Sequence, residues 1–356
     1  MVAERMRTTT ADRVHGLRMV IVTMDTHLAS ACAVAASRLA RSLPGLRLEM
    51  HAASEFAAST DRLKACREAI ASADILVVTM LFMEDHFMPV LDAIEARRGQ
   101  ADAVVCLMSA PEVTRLTRMG KLDMGKPAGG ALAFLKRLRG GDKSGSSAAG
   151  SGARQMSMLR RLPRILRFIP GTAQDLRLYF LSLQYWLGGS EDNLVNLTAS
   201  LVNRYAAGTR QGLRGRLSAS DPVEYPELGV YHPGMKGRIS ESPERLPRAA
   251  TSGRERGTVG VLMLRSYLLA GNSAHYDGVI AALEARGLSV IPAFAMGLDA
   301  RPAVNAFFRD RQGRAMVDAV VSLTGFSLVG GPAYNDAQAA EAMLAELDVP
   351  YVAAHP

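Results

Sequence analysis

Cysteine is scarce. The 356-residue chain has three, Cys32, Cys66 and Cys106, and no C-x-x-C pair. So odd and scattered a set encodes neither a disulfide framework nor a zinc site, and it fits a reducing, cytoplasmic setting. Aromatic residues make up only 6%, thin material for stacking on nucleic acid. No DNA- or RNA-binding motif accompanies the excess of 42 Lys and Arg over 34 Asp and Glu, a formal charge of +8. Nucleic acid is therefore not an expected partner, and the charge suits phosphates, carboxylates or an anionic membrane surface. Long apolar runs are lacking too. The first, Met19 to Met24, falls far below the ~20 residues that span a bilayer. The polar start, Met1 to Gly16, has no signal-peptide core.

What is present is ordinary globular material, 48% hydrophobic and 21% charged, enough for a buried core. At roughly 150 residues per domain the length predicts two domains. From Arg18 the chain alternates strand and helix. Met19-Val20-Ile21-Val22-Thr23 reads as a buried parallel strand with Asp25-Thr26 as a helix cap, and Leu28, Cys32, Ala35, Leu39 and Leu43 follow at helical spacing. The pattern repeats through strands at Leu46–Met50, Asp74–Thr79 and Ala103–Leu107, predicting an open α/β sheet.

Residues 139–152 hold five Gly and four Ser in fourteen, a flexible linker by composition. Three helices are expected next, over Met156–Ile169, Ala173–Leu187 and Glu191–Tyr205. The second is apolar nearly all round and needs partners on two faces. Gly208–Gly257 reads as irregular, extended chain. Alternation then resumes with strands at Thr258–Leu264, Leu288–Phe294 and Val317–Leu323, a helix capped by Ser273, and a last strand at Val349–Ala353. A parallel sheet needs helices on both faces, so this second sheet is expected to be incomplete.

Local motifs carry little chemistry. Gly120-Lys121-Leu122-Asp123-Met124-Gly125-Lys126 spells G-x-x-x-x-G-K, but Pro127 stands where a phosphate-binding loop needs Ser or Thr. No ATP site is expected. The Gly-rich stretch Ser322–Ala333 could face an anion with its backbone N–H groups or be a tight bend. Glu84-Asp85-His86 reads as a solvated helix start rather than a metal site. The basic helix, with Arg160, Arg161, Arg164 and Arg167 among Leu159, Leu162, Leu166 and Phe168, could lie on a membrane or partner, or pack on a neighbouring domain. Two spots stand out: Tyr231-His232-Pro233 in the irregular segment, and Arg265-Ser266-Tyr267 with Asn272 and His275 at a strand's C-terminal end, where open α/β sheets bind ligands.

Together these segments resemble the large, porphyrin-binding H subunit of magnesium chelatase, a family related to the large subunit of cobaltochelatase. The resemblance is carried by the opening strand into Asp25-Thr26-His27, by Leu159–Pro170 (LRRLPRILRFIP) and by Ala173–Asn193 (AQDLRLYFLSLQYWLGGSEDN). It continues through Gly229–Pro233, Leu264–Tyr276 (LRSYLLAGNSAHY) and Ser322–Ala333. Family members are several times longer, so the chain is expected to be the N-terminal part alone.

The resemblance implies two open, mainly parallel α/β units joined by a helical neck, the second unit incomplete. In this layout residues 1–17 are a disordered start, 18–138 a head domain and 139–155 the Gly/Ser linker. Residues 156–256 make the neck and crossing segment, and 257–356 begin the main body. It implies insertion of Mg²⁺ into protoporphyrin IX, both as substrates, in chlorophyll or bacteriochlorophyll biosynthesis. ATP would be hydrolysed on a separate AAA+ motor subunit working with a bridging subunit. A cytoplasmic protein, in peripheral contact with photosynthetic membranes, is expected. On this reading His232, Arg265, Tyr267, Asn272 and His275 are the porphyrin-binding candidates, Arg265 for a propionate and a histidine for ring or metal. The piece alone is not expected to catalyse. The alternative left open is a stand-alone α/β ligand-binding or scaffold protein without activity.

Overall fold

The computed structural model describes residues 16–126, 162–247, 256–331 and 334–354. The expectations for residues 1–15, for the Gly/Ser segment 139–155, for positions 156–161 of the basic helix, for Pro332-Ala333 and for residues 355–356 lie outside the described residues. The chain divides into two compact units. The first runs to Leu187 and includes Glu191–Pro222; the second holds Gly188–Ser190 and everything from Val223. The stretch 156–256, read from sequence as one connecting piece, is thus shared between the units.

The first unit alternates β1 (Leu17–Thr23), α1 (Ala29–Ser42), β2 (Leu46–Ala52), α2 (Thr60–Ser72), β3 (Ile75–Thr79), α3 (Glu84–Arg98) and β4 (Ala103–Leu107). These strands pair in parallel in the order β2-β1-β3-β4, with Ile21 level with Met50 and Val77. β3 and β4 are buried along their whole length, as a parallel sheet covered on both faces requires. One face, Val20, Val22, Leu76, Val78 and Val104, packs on Cys66 and Ile70 of α2 and Val90 and Ile94 of α3. Side chains alternate along a strand, so Met19, Ile21 and Thr23 leave by the opposite face, which α1 covers.

A short hairpin, β5 (Arg118–Met119) and β6 (Leu122–Asp123), extends the sheet antiparallel beyond β4. The phosphate-loop look-alike is this hairpin. Gly120 makes its turn at φ 59°, and the Lys121 N–H donates to Asp175 Oδ2 at 2.9 Å. Asp175 lies on α4 (Thr172–Gly188), which is followed by α5 (Glu191–Tyr205). Its buried carboxylate also accepts from Arg204 Nε and the Tyr205 hydroxyl, both at 2.9 Å. α5 packs on α1. α4 buries Leu176, Leu178, Phe180, Leu181 and Trp186.

The second unit consists of β7 (Leu228–Tyr231), β8 (Ile239–Ser240), β9 (Thr258–Leu264), α6 (Arg265–Leu269), α7 (Ala274–Glu284), β10 (Ser289–Ala295), β11 (Ala319–Ser322), the pair β12 (Gly330–Gly331) and β13 (Tyr334–Asn335), α8 (Ala337–Leu347) and β14 (Tyr351–Ala353). Its main sheet runs β14-β11-β9-β10-β7-β8, parallel from β14 to β10 and antiparallel in β7 and β8. The segment read as irregular therefore supplies two strands. Gly229 hid the first of them. A Cβ there would stand 2.6 Å from the Ser240 carbonyl oxygen and 2.8 Å from the Phe294 ring, so close packing imposes a glycine where strand propensity would favour a larger residue.

Candidate functional site

Parallel register sets Leu264, the last residue of β9, level with Ala295, the last of β10. The chain leaves this edge through α6 and re-enters it through α7, which gathers the candidate residues. Arg265 is buried. Its Nε donates to the Pro226 carbonyl at 2.7 Å and its Nη2 to that of Tyr225 at 3.0 Å. The guanidinium thus anchors the approach to β7 against the edge.

Tyr267, His275 and Tyr276 form an aromatic cluster. The His275 ring lies 3.8 Å from that of Tyr276 and 5.6 Å from that of Tyr267, centroid to centroid. The Tyr276 hydroxyl accepts from the Leu264 N–H at 3.2 Å, tying the cluster to the strand end. The Asn272 N–H donates to the Tyr267 carbonyl at 2.9 Å and closes the turn between α6 and α7. Burial lowers the His275 imidazole below its ordinary range, only partly opposed by the nearby Asp277 carboxylate. The shift favours the neutral ring, a state that can accept a proton or ligate a cation.

His232 is held elsewhere. It follows Val230, which lies opposite Ala293 in an antiparallel pair, and so points toward the N-terminal end of β10. Both of its nitrogens are engaged: Nε2 lies 2.9 Å from Glu284 Oε1, and Nδ1 accepts from the Gly234 N–H at 3.0 Å. Glu284 ends α7 and His275 is its second residue, a separation of ~13 Å at 1.5 Å per residue. The fold thus brings Arg265, Tyr267, Asn272 and His275 to one edge and leaves His232 at the other end of the helix.

Sequence reasoning missed a second network. The Tyr231 hydroxyl donates to Asp277 Oδ1 at 2.5 Å and stands 2.8 Å from Ser273 Oγ. Ser273 holds the N-cap position of α7 yet makes no side-chain cap bond; its hydroxyl is taken up by Tyr231 and Asp277 instead. Only a tertiary contact between β7 and α7 makes this pairing visible. The turn after β11 borders the same edge. Thr324 Oγ1 lies 3.1 Å from Ser322 Oγ and accepts from the Phe326 N–H at 3.3 Å. Between Leu262–Leu264, Phe294 and Phe326 lies a narrow cleft of about 20 Å³, room for about one water. An open hollow of about 320 Å³ adjoins it, lined by Phe326, Leu328, Leu344 and Tyr351. Apolar and aromatic side chains line the cleft and the hollow, and the His275 cluster is tied to the end of β9.

Among the described residues no group of three or more His, Cys, Asp or Glu side chains could hold a metal ion. No helix among them is long and apolar enough to cross a membrane.

Two family models match the chain. One is described as a domain of unknown function, DUF3479, over residues 18–180; the other is CobN/Magnesium Chelatase, over residues 183–356. The magnesium-chelatase H subunit of Cereibacter sphaeroides is 52% identical over 341 residues, 96% of this chain and 28% of that protein. The H subunit from Rhodobacter capsulatus is 48% identical over the same shares. The catalytic subunit of cobaltochelatase from Mycobacterium tuberculosis aligns in structure over 95% of this chain and 21% of that one, at a TM-score of 0.40 and 19% identity. The chain spans 28% of the length of the curated bacterial relatives named here. It belongs to the CobN/magnesium chelatase family and corresponds to the N-terminal portion of the H subunit.

Proposed function

We propose that the chain is the N-terminal part of the porphyrin-binding subunit of a magnesium chelatase, which inserts Mg²⁺ into protoporphyrin IX on the way to chlorophyll or bacteriochlorophyll. Alignment with a bacterial H subunit at 52% identity over 96% of the chain carries this reading. ATP hydrolysis falls to a separate AAA+ motor subunit, assisted by a bridging subunit, and the protein is cytoplasmic.

Metalation must strip water from a reluctant cation and remove two pyrrole protons. In this reading the second unit contributes one wall of the porphyrin site. Tyr267 and Asn272 lie against the macrocycle. His275, neutral and aromatic-packed, faces the ring, where it can take up a pyrrole proton. Arg265 pairs with a propionate only by turning from the carbonyls of Tyr225 and Pro226; held as it is, it positions the wall. His232, bonded at both nitrogens, supports the fold of the same unit.

The exposed stretch Arg164, Ile165, Arg167, Phe168 and Ile169, with Phe168 84% exposed, supports a peripheral contact. Cationic and apolar side chains together suit the interface of an anionic membrane.

The site assignment is tested by titrating the chain with deuteroporphyrin and following the Soret band. A saturable shift is expected, about tenfold weaker in His275→Ala and unchanged in His232→Ala. Weakening by His232→Ala alone would overturn the assignment, and absence of any saturable shift would move the porphyrin site away from this chain.

A further inference from the structure

The first unit has a topological switch point of its own. In the order β2-β1-β3-β4, the chain goes from β1 outward to β2 and returns past β1 to β3, and open α/β sheets hold ligands in the crevice at such a reversal, beyond the strands' C-terminal ends.

Three observations mark that crevice. Thr23 and Thr79 are the last residues of β1 and β3 and follow the aligned pair Val22 and Val78, so they stand side by side on the face that α1 covers. Both are wholly buried, and neither hydroxyl has a hydrogen-bond partner, an arrangement that folded proteins rarely leave in place. Next, α1, the helix that follows β1 over this face, begins at Ala29 without a side-chain cap and without an acidic residue in its first turn, so its amide groups and dipole favour an anion. The carboxylate in the intervening loop, Asp25, is turned to His27, accepting from its backbone N–H at 3.1 Å and contacting its ring nitrogen. Finally, Met80, immediately after β3, holds φ at 60°, a left-handed conformation that a methionine adopts at a cost. Phe82 and Met83 follow in the same loop and are 55% and 47% exposed.

We propose that the crevice between the ends of β1 and β3 binds an amphipathic oxyanion. The ligand is a small molecule whose carboxylate, phosphate or sulfonate sits at the N-terminus of α1 above the Thr23 and Thr79 hydroxyls and whose apolar body rests on Phe82 and Met83. This site lies in the first unit and stands independently of the porphyrin wall assigned to the second.

The chain carries its own reporter. Trp186, the sole tryptophan, lies edge-on to His27 with ring centroids 6.3 Å apart. The test titrates the full chain with 8-anilinonaphthalene-1-sulfonate, a fluorescent apolar sulfonate, and reads quenching of Trp186, with inorganic phosphate and acetate as separate competitors. Two variants accompany it. Thr79→Val removes a hydroxyl at constant shape. Ser30→Glu sets a carboxylate at an exposed position in the first turn of α1, where it competes with the ligand and suits the helix. We expect saturable quenching reversed by phosphate or acetate, whichever matches the head group, and at least tenfold weaker binding in both variants with their thermal midpoints equal to or above that of the parent. Quenching that fails to saturate, that neither competitor reverses, or that is equally tight in both variants overturns the proposal.

Discussion

At the C-terminal edge of the second unit's sheet buried polar side chains are spent within the fold: Arg265 on two backbone carbonyls and Tyr231 on Asp277 and Ser273. At the same edge of the first unit Thr23 and Thr79 have no partner. The two units share a parallel α/β plan, yet one edge is internally satisfied and the other is not. A polar residue at a strand's end is therefore no guide by itself to a ligand, and its bonding decides. The first unit also holds all three cysteines, and the second holds none.

That asymmetry predicts the largest effect. Burial pushes the thiols of Cys32, Cys66 and Cys106 from 9.0 up to about 12. Above pH 9 the unfolded chain releases thiol protons that the folded chain keeps, so stability is full below pH 9 and falls as pH rises from about 9 to 12. The loss approaches roughly 1.4 kcal/mol per pH unit for each thiol. Urea unfolding followed by Trp186, which belongs to the first unit, is expected to shift to lower urea between pH 8.5 and 10, and replacing the three cysteines by alanine should flatten that dependence.

Asp175→Ala removes a buried carboxylate that serves Arg204, Tyr205 and the β5–β6 hairpin. It is expected to cost about 3 kcal/mol, the scale for breaking a buried charge pair, read as a lower urea midpoint of the Trp186 transition. In the second unit Tyr231→Phe deletes the hydroxyl that joins β7 to α7 and leaves Asp277 short of a donor. A loss of about 1 kcal/mol is expected, measured by hydrogen exchange across β7 and α7. The smallest effect belongs to the surface. Arg38 pairs with Asp192 at 2.7 Å and Glu191 at 3.1 Å, but all three side chains are well exposed, so Arg38→Ala should change stability by less than about 1 kcal/mol, and less still in high salt.

Much of this architecture was legible in the sequence, because β-branched runs such as Met19–Thr23 and helical spacings such as Leu28 to Leu43 mark buried parallel strands and one-faced helices. β7 was not legible, since Gly229 answers a packing constraint from Phe294 and Ser240 that lies far away in sequence. The β5–β6 hairpin imitated a phosphate-binding loop because both need glycine at a turn. Of the candidate site, the edge position of Tyr267, Asn272 and His275 followed from their place after a strand. The separation of His232 did not, because it depends on the antiparallel register of β7. The Thr23 and Thr79 pair gave no signal, since a threonine ending a strand is ordinary until its hydroxyl is found without a partner.

The central claim is that this chain does the work of the N-terminal portion of a chelatase H subunit. The most direct test replaces the 341 aligned residues of the Cereibacter sphaeroides protein with this sequence and measures magnesium–protoporphyrin formation with the remaining chelatase subunits, Mg²⁺ and ATP. The account predicts an active chimaera whose rate falls at least tenfold on His275→Ala. A folded chimaera that binds the other subunits yet forms no magnesium–protoporphyrin would contradict it.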